Sequence, residues 1–97
     1  MKVDAIMIKE QDNVATALRD LSPGEEAGVS VGDKLVRVPI QESIPYGHKF
    51  AVLNIKREEN IIKYGEVIGR ATGDIHSGTH AHVHNIESLR GRGDLEP

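Results

Sequence analysis

The close spacing of turn signals constrains this chain more than any other feature of its sequence. Beyond Gly32-Asp33 they recur at Pro45-Tyr46-Gly47, Glu58-Glu59-Asn60, Thr72-Gly73-Asp74 and Ser77-Gly78. At each of them glycine, proline or a polar run ends regular structure. The apolar runs between them are short: Leu35 to Ile40, Phe50 to Ile55, Ile61 to Tyr64 and Val67 to Ala71. Such Val- and Ile-rich pieces read as strands, and none leaves room for the helical crossover that a parallel βαβ unit needs. The expectation is a mostly β, compact, antiparallel or barrel-like fold.

Upstream, Val3 to Lys9 reads as a first strand. Asp12 then offers a helix N-cap, and Val14, Ala17, Leu18 and Leu21 recur at helical spacing until Pro23-Gly24 stops the pattern. One short helix over Asn13 to Leu21 is therefore expected. Downstream, His80 to Ile86 reads as a last strand. The glycine-rich stretch Arg90-Gly91-Arg92-Gly93-Asp94 reads as a flexible tail, so one domain over residues 1–89 is followed by a tail over 90–97.

The chain has 97 residues, enough for one domain, and its three aromatic residues are Phe50, Tyr46 and Tyr64. The core must be built of Val, Ile, Leu and Ala, with Tyr64 expected to join it. So modest a core would gain from a partner subunit or a homo-oligomer. There is no cysteine, which excludes disulfides, thiolate metal sites and a thiol nucleophile and fits a reducing, cytoplasmic setting. The first ten residues lack the apolar run of a signal peptide, and no stretch approaches the ~20 apolar residues of a membrane span. A formal net charge of -3 argues against a phosphate-binding surface, so neither nucleic acid nor membrane is expected as a partner.

The most chemically specific segment is His80-Ala81-His82-Val83-His84-Asn85. As a continuous strand it would place His80, His82 and His84 on one face and Ala81 and Val83 on the other. Adjacent imidazole-bearing residues would stand ~6.6 Å apart and His80 and His84 roughly 13 Å apart, so only neighbours could share an ion. A divalent metal on two imidazoles would then need further ligands, from His76, Asp74 or Glu87 or from another chain. Metal ligation by His80, His82 and His84, contact with an anionic substrate, and a merely solvated or interface strand all remain open on this pattern.

Two more clusters combine glycine with a cation: Pro45-Tyr46-Gly47-His48-Lys49, and Lys63-Tyr64-Gly65 followed by Gly69-Arg70. Glycine lets a ligand approach the backbone, and Lys49, Lys63 and Arg70 can each bind a carboxylate, Arg70 in bidentate fashion. Lysine at a strand end is also common as plain solvated charge. No serine, histidine and acid arrangement suggests a nucleophile, and no phosphate-cradling loop opens a helix.

Taken in order, Asp12-Asn13-Val14-Ala15-Thr16-Ala17-Leu18, Ile44-Pro45-Tyr46-Gly47-His48-Lys49, Ile62-Lys63-Tyr64-Gly65, Ile68-Gly69-Arg70-Ala71 and His82-Val83-His84-Asn85 resemble the N-terminal region of altronate and galactarate dehydratases. That region is an SAF domain, related to the antifreeze-like domain of sialic acid synthase, with a β-clip fold. The resemblance implies a mostly β, SAF-like β-clip domain serving as the small subunit of a sugar-acid dehydratase, beside a large dehydratase subunit. It implies loss of water from an aldonic or aldaric acid to give a 2-keto-3-deoxy product, with divalent iron or manganese as cofactor. His48 and His84 are then the candidates for proton transfer. Lys49, Lys63, Gly65, Arg70 and Asn85 are the candidates for substrate binding, and His80, His82 and His84 those for metal. The small subunit of sulfolactate sulfo-lyase is similar in the same motifs. A non-catalytic sugar-acid-binding or regulatory module is the other class that fits.

Overall fold

The computed structural model describes residues 2–88, so the expected tail over 90–97 lies outside the described residues. It contains nine strands: β1 (Ala5–Met7), β2 (Val14–Ala17), β3 (Glu26–Val31), β4 (Lys34–Pro39), β5 (Lys49–Ala51), β6 (Asn60–Lys63), β7 (Glu66–Ala71), β8 (His80–Ala81) and β9 (Ile86–Ser88). Six form one sheet in the order β4-β3-β1-β2-β5-β8, and three form a second in the order β6-β7-β9. All pairs are antiparallel except β1 with β3. The mostly β expectation holds, but the sheets do not close into a barrel.

The expected helix over Asn13 to Leu21 is absent. In its place β2 runs between β1 and β5, with Val14, Ala15 and Ala17 all buried. Ala15 and Ala17 pack into one apolar cluster with Leu21, Val29 and Phe50. Val14 belongs to a second cluster with Ala51, Ile55, Ile61 and Ile75. A strand covered on both faces loses the alternation that betrays a half-buried strand, and its apolar residues fall by chance at helical spacing. β3 escaped the sequence reading because Glu26, Ala27 and Gly28 are poor strand formers. Its hairpin to β4 does turn at Gly32-Asp33, since Val31 pairs with Lys34.

A four-fold pattern organises both cores. Leu21-x-x-Gly24-x-x-Ala27, Ile44-x-x-Gly47-x-x-Phe50, Ile55-x-x-Glu58-x-x-Ile61 and Ile75-x-x-Gly78-x-x-Ala81 each bury their first and last residues. Each closes a turn by one backbone bond: Glu25 N–H to Ser22, His48 to Pro45, Glu59 to Lys56 and Thr79 to His76. The central residue has positive φ in every case: Gly24 at 94°, Gly47 at 83°, Glu58 at 75° and Gly78 at 84°. This is the position of a type II turn where glycine is the default residue. The leading residues pair as Leu21 with Ile44 and Ile55 with Ile75, one bridge per core.

Asp12 and Asn13 fasten the two sheets together. The buried Asp12 carboxylate accepts the N–H of Lys9 (3.1 Å), Tyr64 (3.0 Å) and Gly65 (2.8 Å). Asn13 accepts the Ile62 N–H and donates to the Asn60 carbonyl, both at 2.8 Å. Tyr64 and Gly65 both have positive φ, at 58° and 74°, as a type I′ hairpin turn between β6 and β7 requires. That turn leaves Tyr64 more than half exposed, so it is not the core residue expected of it.

Candidate functional site: a histidine cluster beside a cationic cleft

The strand expected from His80 to Ile86 breaks after Ala81. His82 to Asn85 form a turn before β9 begins. Asn85 makes that turn: its Oδ1 accepts the His82 N–H, its Nδ2 donates to the His80 carbonyl, both at 2.8 Å, and its own N–H reaches the His82 carbonyl at 3.0 Å. The bend folds His84 back, so its ring centroid stands 5.3 Å from that of His80. The ~13 Å separation calculated for a continuous strand between these two residues does not occur.

The other partner comes from the neighbouring strand. β5 and β8 pair Lys49 with Ala81 and Phe50 with His80, and one further step of that register sets His48 opposite His82. The rings of His48, His80 and His82 stack, with centroids 4.4 to 5.2 Å apart and planes 13° to 27° from parallel. His48 Nδ1 and His80 Nε2 lie 2.8 Å apart, a contact in which one nitrogen must carry the proton and the other must not. Burial is the main cause that lowers the affinity of His80 and His82 for a proton. The neighbouring imidazoles add to it at both, and Lys49 at His82. Both are therefore neutral at pH 7.

One ligand nitrogen from each of these three residues lies within 4.8 Å of the others. Nitrogens bound at ~2.1 Å to a common ion stand about 3.0 Å apart at a right angle and at most about 4.2 Å apart, so the rings would have to turn out of their stacked arrangement to aim their lone pairs at one ion. Three imidazoles with an open side suit iron or zinc better than manganese, which favours oxygen donors. His84 lies outside this trio. The other ligand candidates are elsewhere: Asp74 accepts the Arg57 N–H, His76 is exposed on the Ile75 turn, and Glu87 pairs with Arg70 at 2.7 Å.

Next to the cluster opens a cleft of about 350 Å³ lined by Lys49, Lys63, Tyr64 and His82 over Ile68 and Ile86. No acidic side chain among the described residues lines it. Lys49 is half-buried, and its ammonium is pulled below the usual lysine range by burial and by the charge of Lys63. The Lys63 Nζ lies 4.8 Å from the Tyr64 ring centroid. Arg70 does not join this cleft; it occupies a separate groove with Arg57, Thr72 and Glu87. Gly65 stands in the turn held by Asp12, and both ends of the Asn85 amide are engaged by backbone.

Residues 3–89 match the family described as the altronate/galactarate dehydratase SAF domain. The chain belongs to this family. The SAF chain is 43% identical over 86 residues to altronate dehydratase of Bacillus subtilis and 46% identical over 83 residues to that of Escherichia coli. It spans only 16% of the length of either relative. A third relative is of similar size: (2R)-sulfolactate sulfo-lyase subunit alpha of Chromohalobacter salexigens is 32% identical over 96 residues, which cover 93% of this chain and 99% of that one. These relatives are lyases. No helix among the described residues is long and apolar enough to cross a membrane.

Within this SAF domain, sequence reasoning found the histidine segment, His48, and the two lysines of the cleft. It missed that His48 stacks on His80 and His82. His48 stands just before β5 and His80 opens β8, so the contact depends on the pairing of those two strands, which no local pattern announces.

Proposed function

We propose that this chain is the small subunit of a metal-dependent lyase that removes water from a sugar acid, in an active site shared with a large dehydratase subunit. The observation that carries the reading is the juxtaposition of three clustered imidazoles with a cleft whose titratable side chains include two lysines and no acid. His48, His80 and His82 would hold a divalent ion, iron or zinc by donor type. A bound ion would supply Lewis-acid stabilisation of negative charge on substrate oxygen. Lys49 and Lys63 bind the carboxylate and orient the carbon next to it. A base removes the proton from that carbon, the hydroxyl leaves from the next carbon with a proton to form water, and the enol tautomerises to the 2-keto-3-deoxy acid. His84 is exposed beside the cluster and outside the ligand trio, a position suited to moving one of these protons. The large subunit supplies the partner base or acid.

A second reading, sulfite loss from a sulfolactate, is favoured by one observation: the subunit-alpha relative matches this chain along almost its whole length. Both anionic groups of such a substrate suit a cleft with two lysines.

The test is co-expression with a large dehydratase chain of the same family and assay of 2-keto acid and sulfite release on a panel of sugar acids and sulfolactate, with added iron. Activity that needs both chains and is lost in His82→Ala supports the reading. A large chain fully active alone would make this one a regulatory or stabilising module.

A further inference from the structure

We propose that Glu42 is a positioning residue for the histidine cluster, acting through the backbone of His80. His80 lies on β8, a strand of two residues at the edge of the large sheet, where only β5 supports it. Its carbonyl is held by Asn85 Nδ2 at 2.8 Å, and its N–H donates to Glu42 Oε1 at 2.7 Å. Together these two bonds fix both peptide groups flanking the His80 side chain. Its ring is then set to meet His48 Nδ1, 2.8 Å away, and to stack on His82. A charged acceptor makes the stronger kind of hydrogen bond to an amide.

The loop that carries Glu42 is itself seated firmly. Gln41 N–H donates to the Gly78 carbonyl at 2.9 Å, and a Cβ added to Gly78 would lie 2.0 Å from the Pro39 carbonyl oxygen. Only glycine permits so close an approach. Ile40 and Ile44, both buried, anchor the two ends of the loop in the first core. Glu42 is thus presented to His80 by an element distinct from both strands that bear the histidines. An outer partner of a ligating histidine's ring typically alters metal affinity 10- to 100-fold when removed, and Glu42, which holds the same histidine by its backbone, should reach the low end of that range.

The inference rests on the metal-site reading only in its second readout. In the metal-free protein, the ring nitrogens of His48 and His80 are followed by imidazole 15N NMR in wild type, Glu42→Ala and Glu42→Gln. Glutamine keeps the acceptor. The expected result is that Glu42→Ala moves the His48 and His80 signals toward those of a free imidazole at unchanged circular dichroism, while Glu42→Gln keeps them near wild type. Anaerobic titration with Fe²⁺ should then show at least a 10-fold loss of affinity in Glu42→Ala and less than 3-fold in Glu42→Gln. Unchanged signals in Glu42→Ala, or equal changes in both variants, would overturn the assignment. Absence of Fe²⁺ uptake by the wild type would overturn the metal-site reading instead, and the NMR comparison would still decide the role of Glu42.

Discussion

Replacing Asp12 by alanine should cost this domain a large part of its stability. The carboxylate receives three backbone amides, from Lys9, Tyr64 and Gly65, and it is almost completely buried. A hydrogen bond to a charged group contributes about 1.5–3 kcal/mol net. The turn amides at Tyr64 and Gly65 regain some water in the variant, so the loss should come to about 3–5 kcal/mol rather than the simple sum. In a domain of this size 1 kcal/mol corresponds to about 4–8 °C of melting temperature, and Tm should fall by at least about 12 °C. Asp12→Asn is the gentler probe. Its carbonyl oxygen can replace Oδ2 and keep the Lys9 and Tyr64 amides, but its amino group then faces the Gly65 N–H, for a loss of about 1–2 kcal/mol. Urea unfolding at pH 7 gives both values. A change under 1 kcal/mol in Asp12→Ala would refute the argument that one side chain fastens the β6–β7 hairpin to the β1–β2 connection.

Three other outcomes follow. Glu58→Gly should stabilise by about 0.5–1 kcal/mol in the same urea assay, because Glu58 holds a φ of 75° at a turn position where the three equivalent units carry glycine. Gly78→Ala should destabilise by more than about 3 kcal/mol, since its Cβ would meet the Pro39 carbonyl at 2.0 Å with φ at 84°; a stable, wild-type-like variant in thermal melts would contradict the packing of that loop. Stability should also fall as pH drops below about 6.5: burial lowers the folded-state pKa of His80 and His82, so between those values and about 6.5 the unfolded chain binds more protons. Unfolding curves at pH 8, 7, 6 and 5 check the sign, and His82→Gln should flatten the dependence.

The sequence disclosed the strand content and the turns because glycine and proline mark them directly. It misled where one local chemistry serves two ends. An aspartate whose side chain accepts backbone amides is the mark of a helix N-cap, yet at Asp12 the amides belong to a turn and to a hairpin far along the chain. β2 was read as a helix because burial on both faces erased its alternation. The candidate site was legible in its residue types. Its geometry was not, because Asn85 bends the histidine segment and the ladder between β5 and β8 brings in His48, and neither is a property of local periodicity.

The sharing of strands between the two apolar clusters bears on how the domain comes apart. β2 gives Val14 to one cluster and Ala15 and Ala17 to the other, and β5 divides Ala51 and Phe50 in the same way. Neither half can melt while the other keeps its strands, so unfolding should occur as one cooperative unit with no half-folded species. Opening of the β2–β5 ladder is then nearly global opening, and hydrogen exchange at Phe50, paired with Ala15 in that ladder, should report the full unfolding free energy. A ligand that grips His48 and His80 together would act on that whole equilibrium, slowing exchange even in β3, which β1 and β2 separate from β5.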